Sequence, residues 1–176
     1  MNVAKMIKKA KKGNKNALVQ LIMHEKDTYY KLAFTYMGNE HDAMDALSVM
    51  IITLYEKINQ LKDGAVFYSW SKTILVNECK ASLRKKQKVI TVDSFVKEKS
   101  QTNDFQQIDN QIDINAMLEY LNEEQKEAIQ LKYFLDYDNK TIAKLTNTSV
   151  GTVKSRIFYG LKKLRTIGER DKNGSY

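Results

Sequence analysis

The stretch SVGTVKSRIFYGLKKLR, Ser149–Arg165, carries charge of one sign only. Lys154, Arg156, Lys162, Lys163 and Arg165 are interleaved with Val150, Val153, Ile157, Leu161 and Leu164, an apolar set at helical spacing. Ser149 is a capping residue type, and Gly151 and Thr152 are small, so the backbone N–H groups of the helix start are open to an anion. Lys154, Ser155 and Tyr159 fall on the face away from Val153 and Ile157, where long donors read base edges in a major groove. Arg156, Lys162 and Lys163 are placed for phosphates, which position a protein on a duplex without specifying sequence. A solvated basic face on a packing helix has the same pattern, and these residues alone leave both readings open.

The elements around this helix favour the first. A helix predicted over Asn139–Thr146 is separated from it by little more than NTS, so the two form a helix-turn-helix. Ala143 is small where the second helix must cross. Asn147 stands where the turn wants a left-handed residue, which Asn tolerates better than most. Val153, ten residues beyond Ala143, fills the gap between the helices. Upstream, Ile114, Met117, Leu118 and Leu121 start a helical pattern, and NEEQ at Asn122–Gln125 reads as an N-cap with its capping-box partner. That opens a helix through Ala128, Ile129 and Leu131 to Phe134, and LDYDN then breaks it.

The N-terminal half has its own helical core. A basic helix around Val3–Lys12 precedes a stripe of Leu18, Leu21, Ile22, Tyr29, Leu32, Ala33 and Tyr36. Gly38 and Asn39 separate this from Ala43, Ala46, Leu47, Met50, Ile51, Leu54 and Ile58, as a C-cap does. A third helix after KDG holds Val66, Phe67, Trp70, Ile74 and Leu75 and ends in RKKQK. From residue 89 the period fails, VITV resembling a short strand without a partner, and 89–112 reads as a polar linker. The expected organisation is all-α, with one helical domain over 1–88, the linker 89–112, a helix-turn-helix domain over 113–170 and a tail, 171–176.

Bulk properties exclude several functions. The net charge of +8 points to a polyanion, nucleic acid or an anionic membrane. Residues 1–88 carry +8 and 149–176 carry +5, while 89–112 and 113–148 carry −2 and −3, so the charge is segregated. No apolar run reaches bilayer length and the basic N-terminus lacks an apolar h-region, so neither a membrane span nor a secretory signal is expected. The single Cys79 cannot pair within the chain, which suits a reducing cytoplasm, and it reads as a packed or half-exposed thiol. His24 and His41 lack metal-ligand spacing, Cys79 has no neighbouring histidine, and no GxxxxGK[ST] loop exists, so no catalysis, cofactor or metal is expected.

NEEQKEAIQLKYFLDYDNKTIAKLTNTSVGTVKSRIFYGLKKL resembles the C-terminal, −35-binding domain of small bacterial sigma factors, VGTVKSRI being its most specific piece. HDAMDALSVMIITLYEKINQL followed by FYSWSKTILVNECKASLRKKQ resembles their core-binding and −10-recognition domain. Without the further domains of larger sigma factors, the resemblance is to the extracytoplasmic-function (ECF) group of the sigma-70 family. It implies a dissociable subunit that binds core RNA polymerase, through the β′ clamp helices and the β flap, and recognises −35 duplex and melted −10 promoter DNA. It further implies restraint by a membrane-linked anti-sigma factor, and no small-molecule substrate.

By residue, the resemblance assigns the clamp-helix contact to Asp42–Tyr55, with Asp42, Asp45 and Tyr55 its named residues. Ser48-Val49 stand where the family usually has Gln-Glu. NQLKDG matches the loop that captures a flipped −10 base, with Leu61 where an apolar residue packs on that base. Trp70, Asn77, Lys80 and Arg84 lie at or beside −10-contacting positions, and Thr152, Lys154, Ser155, Arg156, Tyr159, Lys162 and Lys163 face −35. A tryptophan is more often core than platform, which explains Trp70 as well, and a neighbouring side chain would serve Asn77. The alternative function is a stand-alone helix-turn-helix regulator, which shares the C-terminal pattern but not the Trp-Asn-Arg helix.

Overall fold

A computed structural model describes residues 2–93 and 114–173, and among these there are helices and no strands. The chain divides into two compact units, one centred on Met1–Lys86 and the other on Gln87–Ala143 and Thr148–Tyr176.

The first unit contains α1 (Val3–Lys11), α2 (Lys15–His24), α3 (Lys26–Met37), α4 (Glu40–Lys57) and α5 (Phe67–Asp93), with two short 3-10 segments, Ile58–Gln60 and Gly64–Val66, between α4 and α5. Local chemistry sets the boundaries. Asn2, Asn14 and Asn39 each accept an N–H three residues on with their side-chain oxygens, capping α1, α2 and α4. Gly38 closes α3 at φ 74°, a conformation that costs a residue with a Cβ but not glycine. The single stripe read from Leu18 to Tyr36 is shared by two helices, because Glu25 leaves helical geometry between them. Its members Leu18, Leu21, Ile22, Tyr29, Leu32 and Ala33 are nonetheless all buried. From α4 come Ala43, Ala46, Met50 and Leu54, and from α5 Phe67, Leu75, Val76 and Cys79. Each fully buried large side chain contributes about 1.5–3 kcal/mol relative to exposure. Polar ties fix α5: the Tyr29 hydroxyl and Ser71 Oγ are 2.7 Å apart in the core, Lys72 lies 3.3 Å from Glu25, and Lys86 pairs with Asp42.

The strand suggested by VITV is not formed; α5 continues through Asp93. A strand without a partner leaves its backbone groups unpaired, whereas extending an existing helix adds a hydrogen bond per residue. The remainder of the expected linker, 94–112, lies outside the described residues.

The second unit contains α6 (Ile114–Leu118), α7 (Glu123–Tyr133), α8 (Asn139–Thr146) and α9 (Val150–Asn173). Asn122 caps α7 by accepting the Gln125 N–H at 2.8 Å, and Asp138 caps α8 through the Thr141 N–H at 2.7 Å. Leu118, Leu121 and Ile129 form a core cluster, with Leu164 of α9 packed against it. α9 runs well beyond the basic stretch Ser149–Arg165, to Asn173. No proline follows Thr166, and α6 packs on the extension, Met117 Cε lying 3.8 Å from where a Cβ on Gly168 would stand.

Candidate nucleic-acid interface

The turn between α8 and α9 has the geometry its residues imply. Asn147 sits at φ 53°, and the Thr148 N–H donates to the Ala143 carbonyl at 2.9 Å. Ala143 and Val153 are both buried, Val153 completely. Ser149 Oγ accepts the Thr152 N–H at 3.0 Å, which satisfies one of the free donors of the α9 start. Beyond the cap, Gly151, Thr152, Lys154 and Ser155 are exposed. Thr152, Ser155, Tyr159 and Lys162 follow one another at helical spacing, so they share a face, with Lys163 and Arg165 exposed farther along.

Arg156 departs from its expected place. Its guanidinium donates to Glu124 Oε1 of α7 at 2.9 Å and its side chain is only 18% exposed. It ties α9 to α7 and is not held out for a phosphate. The cause is helical geometry: Arg156 shares a face with Gly160, which packs against Ile129. Gly160 was missed in the sequence because a lone glycine in a helical pattern reads as a weakness, not as a close approach. Phe158, 62% exposed and edge-on to Tyr159 at 5.3 Å, was missed as well; the spacing from Lys154 to Phe158 was the available signal.

In the first unit, Trp70, Asn77, Lys80 and Arg84 follow one another along one face of α5. Asn77 and Arg84 are exposed, Lys80 is half-buried, and Arg84 Nε donates to the Lys80 carbonyl at 3.2 Å. Trp70 is half-buried with its ring 6.4 Å from Phe67, so part of the indole packs and part remains accessible. Exposure of Asn77 removes the need for an internal partner. Tyr68 on the same helix has a buried hydroxyl without a partner among the described residues, and burial, with Glu25 nearby, raises its pKa.

Leu61 is a correction. It is only 4% exposed, and its carbonyl accepts from Lys11 Nζ. The loop points this apolar side chain into the core, as the hydrophobic effect favours, and leaves Gln60, Lys62 and Asp63 exposed.

On α4, Met44, Asp45, Val49, Ile52 and Tyr55 are exposed, Ile52 by 57%. Ile51, expected in the core stripe, is 40% exposed beside them. This apolar row lies on the side of the helix opposite the buried Ala43, Ala46, Met50 and Leu54. Lys15 Nζ lies 5.3 Å from the centre of the Tyr55 ring. Asp42 is less available than Asp45: Lys86 and Asn39 hydrogen-bond its carboxylate and hold its pKa below the usual value. His41, Asp42 and Asp45 bring possible ligand atoms within 4.8 Å of one another, but Asp42 is already engaged, and acidic groups in a first turn are explained by the helix dipole.

The sequence and fold match known proteins in both halves. The family model for Sigma-70 region 2 matches residues 21–89, and that for Sigma-70, region 4 matches 111–164. The chain is 29% identical over 160 residues to RNA polymerase sigma factor SigV of Bacillus subtilis (strain 168), covering 89% of this chain and 94% of that protein. It is 28% identical over 179 residues to ECF RNA polymerase sigma factor SigW of the same organism, covering 94% and 96%. Its fold is shared with CnrH, solved in complex with the cytosolic domain of CnrY, at TM-score 0.67 and 17% identity over 96% of this chain and 98% of that one. It is shared also with the sigma factor RpoE of Bartonella quintana, solved with the anti-sigma factor NepR, at TM-score 0.66 and 22% identity over 85% and 95%. With both regions in order and relatives matched along nearly their full length, the chain belongs to the ECF group of the sigma-70 family, the subunits that bind core RNA polymerase and direct promoter-specific transcription initiation.

Proposed function

We propose that the two helical units divide promoter recognition between duplex and melted DNA. Lys154 and Ser155 read −35 base edges, Thr152 and Tyr159 border the groove, and Lys162 and Lys163 hold phosphates. Trp70, Asn77, Lys80 and Arg84 serve the −10 strand, with Asn77 bonding a base edge, the cations following the backbone and Trp70 supporting the fork. The loop carrying Lys62 and Asp63 meets the flipped base. Asp45, Ile52 and Tyr55 of α4 contact the β′ clamp helices, and the exposed Tyr133 and Phe134 at the end of α7 offer the β flap an apolar surface. The protein works in the cytoplasm and is held in check by a membrane-linked anti-sigma factor; RpoE, which shares the fold, was solved with an anti-sigma partner.

The observation that carries this reading is the α9 start: a capped N-terminus whose first turns expose Thr152, Lys154, Ser155 and Tyr159 and hold no acidic residue. Run-off transcription with core polymerase tests it. The chain directs initiation from a duplex promoter, and Lys154→Ala weakens −35 promoter binding by about 1–3 kcal/mol while sparing scrambled DNA. Equal losses on both DNAs would remove the base-reading role. Tight duplex binding without any polymerase-dependent initiation would favour the stand-alone regulator.

A further inference from the structure

We propose that α1 is a phosphate-binding helix, whose lysine row Lys5, Lys8, Lys9 and Lys12 holds the DNA backbone beside the loop of residues 58–66. The proposal rests on the reading of this chain as a promoter-binding polymerase subunit. It adds a contact that lies upstream of the residues matched by the region 2 model, which begins at residue 21.

The four lysines recur at i, i+3, i+4 and i+7, all exposed, opposite the buried Ile7 and Ala10. No Asp or Glu occurs in the chain before Glu25, and none of the four has an ion pair among the described residues. The helix dipole favours Lys8 and Lys9, which lie in the last turn of α1, but not Lys5. Lys5 lies in a first turn that holds no acid, where a cation opposes the helix dipole. Lys5–Lys9 and Lys8–Lys12 are like-charge pairs at i, i+4, each unfavourable in isolation. A polyanion relieves that repulsion.

The position of α1 selects which polyanion. α1 packs against both 3-10 segments that flank the loop. Ile7 Cδ1 lies 3.3 Å from where a Cβ on Gly64 would stand, a tight approach of the helix to the loop. Lys11 donates to the Leu61 carbonyl and fixes the loop to the helix. The lysine row therefore stands on the outer face of the helix whose inner face packs on the loop surface proposed to meet the −10 strand. A strand leaving that surface across α1 exposes successive phosphates, and a row of ammonium groups on a helix face suits them as point charges.

The experiment compares wild type with the fourfold variant Lys5→Gln, Lys8→Gln, Lys9→Gln and Lys12→Gln, each assembled with core polymerase. Gln matches Lys in helix propensity, and a fourfold Lys→Arg variant keeps the charge. Promoter affinity is read against salt concentration on a duplex promoter and on one pre-melted at −10. Each lost phosphate contact reduces the slope of log affinity against log salt by about 0.7 for single strands and about 0.9 for duplex, so four contacts reduce it by about 3. The Gln variant is expected to show that loss on the pre-melted template, with core affinity unchanged, and the Arg variant to keep the wild-type slope. An unchanged slope overturns the proposal. So does a loss confined to core affinity, or a loss seen only in binding to vesicles of anionic phospholipid. If wild type itself fails to initiate with core polymerase, the underlying functional reading fails, and that result is separate from an unchanged slope in an active holoenzyme.

Discussion

Substituting Gly160 tests whether α9 is held against α7 as closely as described. A Cβ at this position would stand 2.6 Å from Ile129 Cδ1 and 3.4 Å from Gln125 Cβ. Ile129 is buried, so its methyl has little room to turn away. Overpacking of this kind costs about 1–3 kcal/mol. Against it stands the helix propensity of alanine, which favours the substitution by about 1 kcal/mol. Gly160→Ala is therefore expected to destabilise by roughly 0–2 kcal/mol, the difference of those two terms. Ile129→Val removes the clashing Cδ1 and alone costs about 0.5–1.5 kcal/mol. In that background Gly160→Ala should become neutral or stabilising, a coupling of up to roughly 1–3 kcal/mol between the two sites, the overpacking term removed. Urea unfolding followed by far-ultraviolet circular dichroism measures all four proteins of the cycle. Binding of −35 duplex by the same proteins shows whether displacing α9 also disturbs the DNA face. Additive effects, or a stabilised single Gly160→Ala, would refute the close packing of α7 and α9.

Leu61→Ala should lower stability by about 2–5 kcal/mol, as for a buried leucine, and a pre-melted template should not rescue it. A variant with wild-type stability and a pure melting defect would restore Leu61 to the base-binding role. Asp42 has a folded-state pKa below its ordinary 3.8, so its stabilisation is present above that value and is lost as pH falls through the folded one. Asp42→Asn should thus cost less stability at about pH 3 than at about pH 6, measured as urea midpoints; an equal cost at both would contradict the Lys86 pairing. Cys79 is buried and its thiol is pushed up to about 12, so a thiol reagent at mildly alkaline pH should label the unfolded chain and spare the native one. Rapid native labelling would contradict its burial.

The helix-turn-helix was legible because each of its parts has a local chemical signature. Asn147 in the left-handed region, the Ser149 cap and the buried Ala143 and Val153 follow from residue type and spacing, with no distant contact required. Misreadings occurred where tertiary neighbours decide. Leu61 looks like a loop-tip residue until the packing of α1 on the loop is known. Arg156 looks like its neighbouring cations until α7 brings Glu124 beside it. Ile51 belongs to the α4 stripe by period, yet it lies 40% exposed at the edge of that stripe. The missed extension of α9 has the same origin, since α6, distant in sequence, supplies the surface on which it continues.

Internal pairing explains how a net charge of +8 becomes directional. In the second unit two carboxylates of the α6–α7 segment pair with cations, Glu124 with Arg156 and Glu119 with Lys126. Those pairs neutralise Arg156 and Lys126, while Lys154, Lys162, Lys163 and Arg165 stay exposed on α9. In the first unit Glu25 takes Lys72 and Asp42 takes Lys86, while Lys5, Lys8 and Lys9 of α1 and Arg84 of α5 stay at the surface. The exposed pairs, Glu119–Lys126 among them, add little stability. Their effect is on the field: they cancel charge where the unit packs against itself and preserve it where a phosphate backbone can approach. Removing Glu124 would therefore free a cation at the DNA-facing helix, and its loss should raise salt-sensitive, sequence-independent DNA binding while leaving −35 discrimination to Lys154 and Ser155.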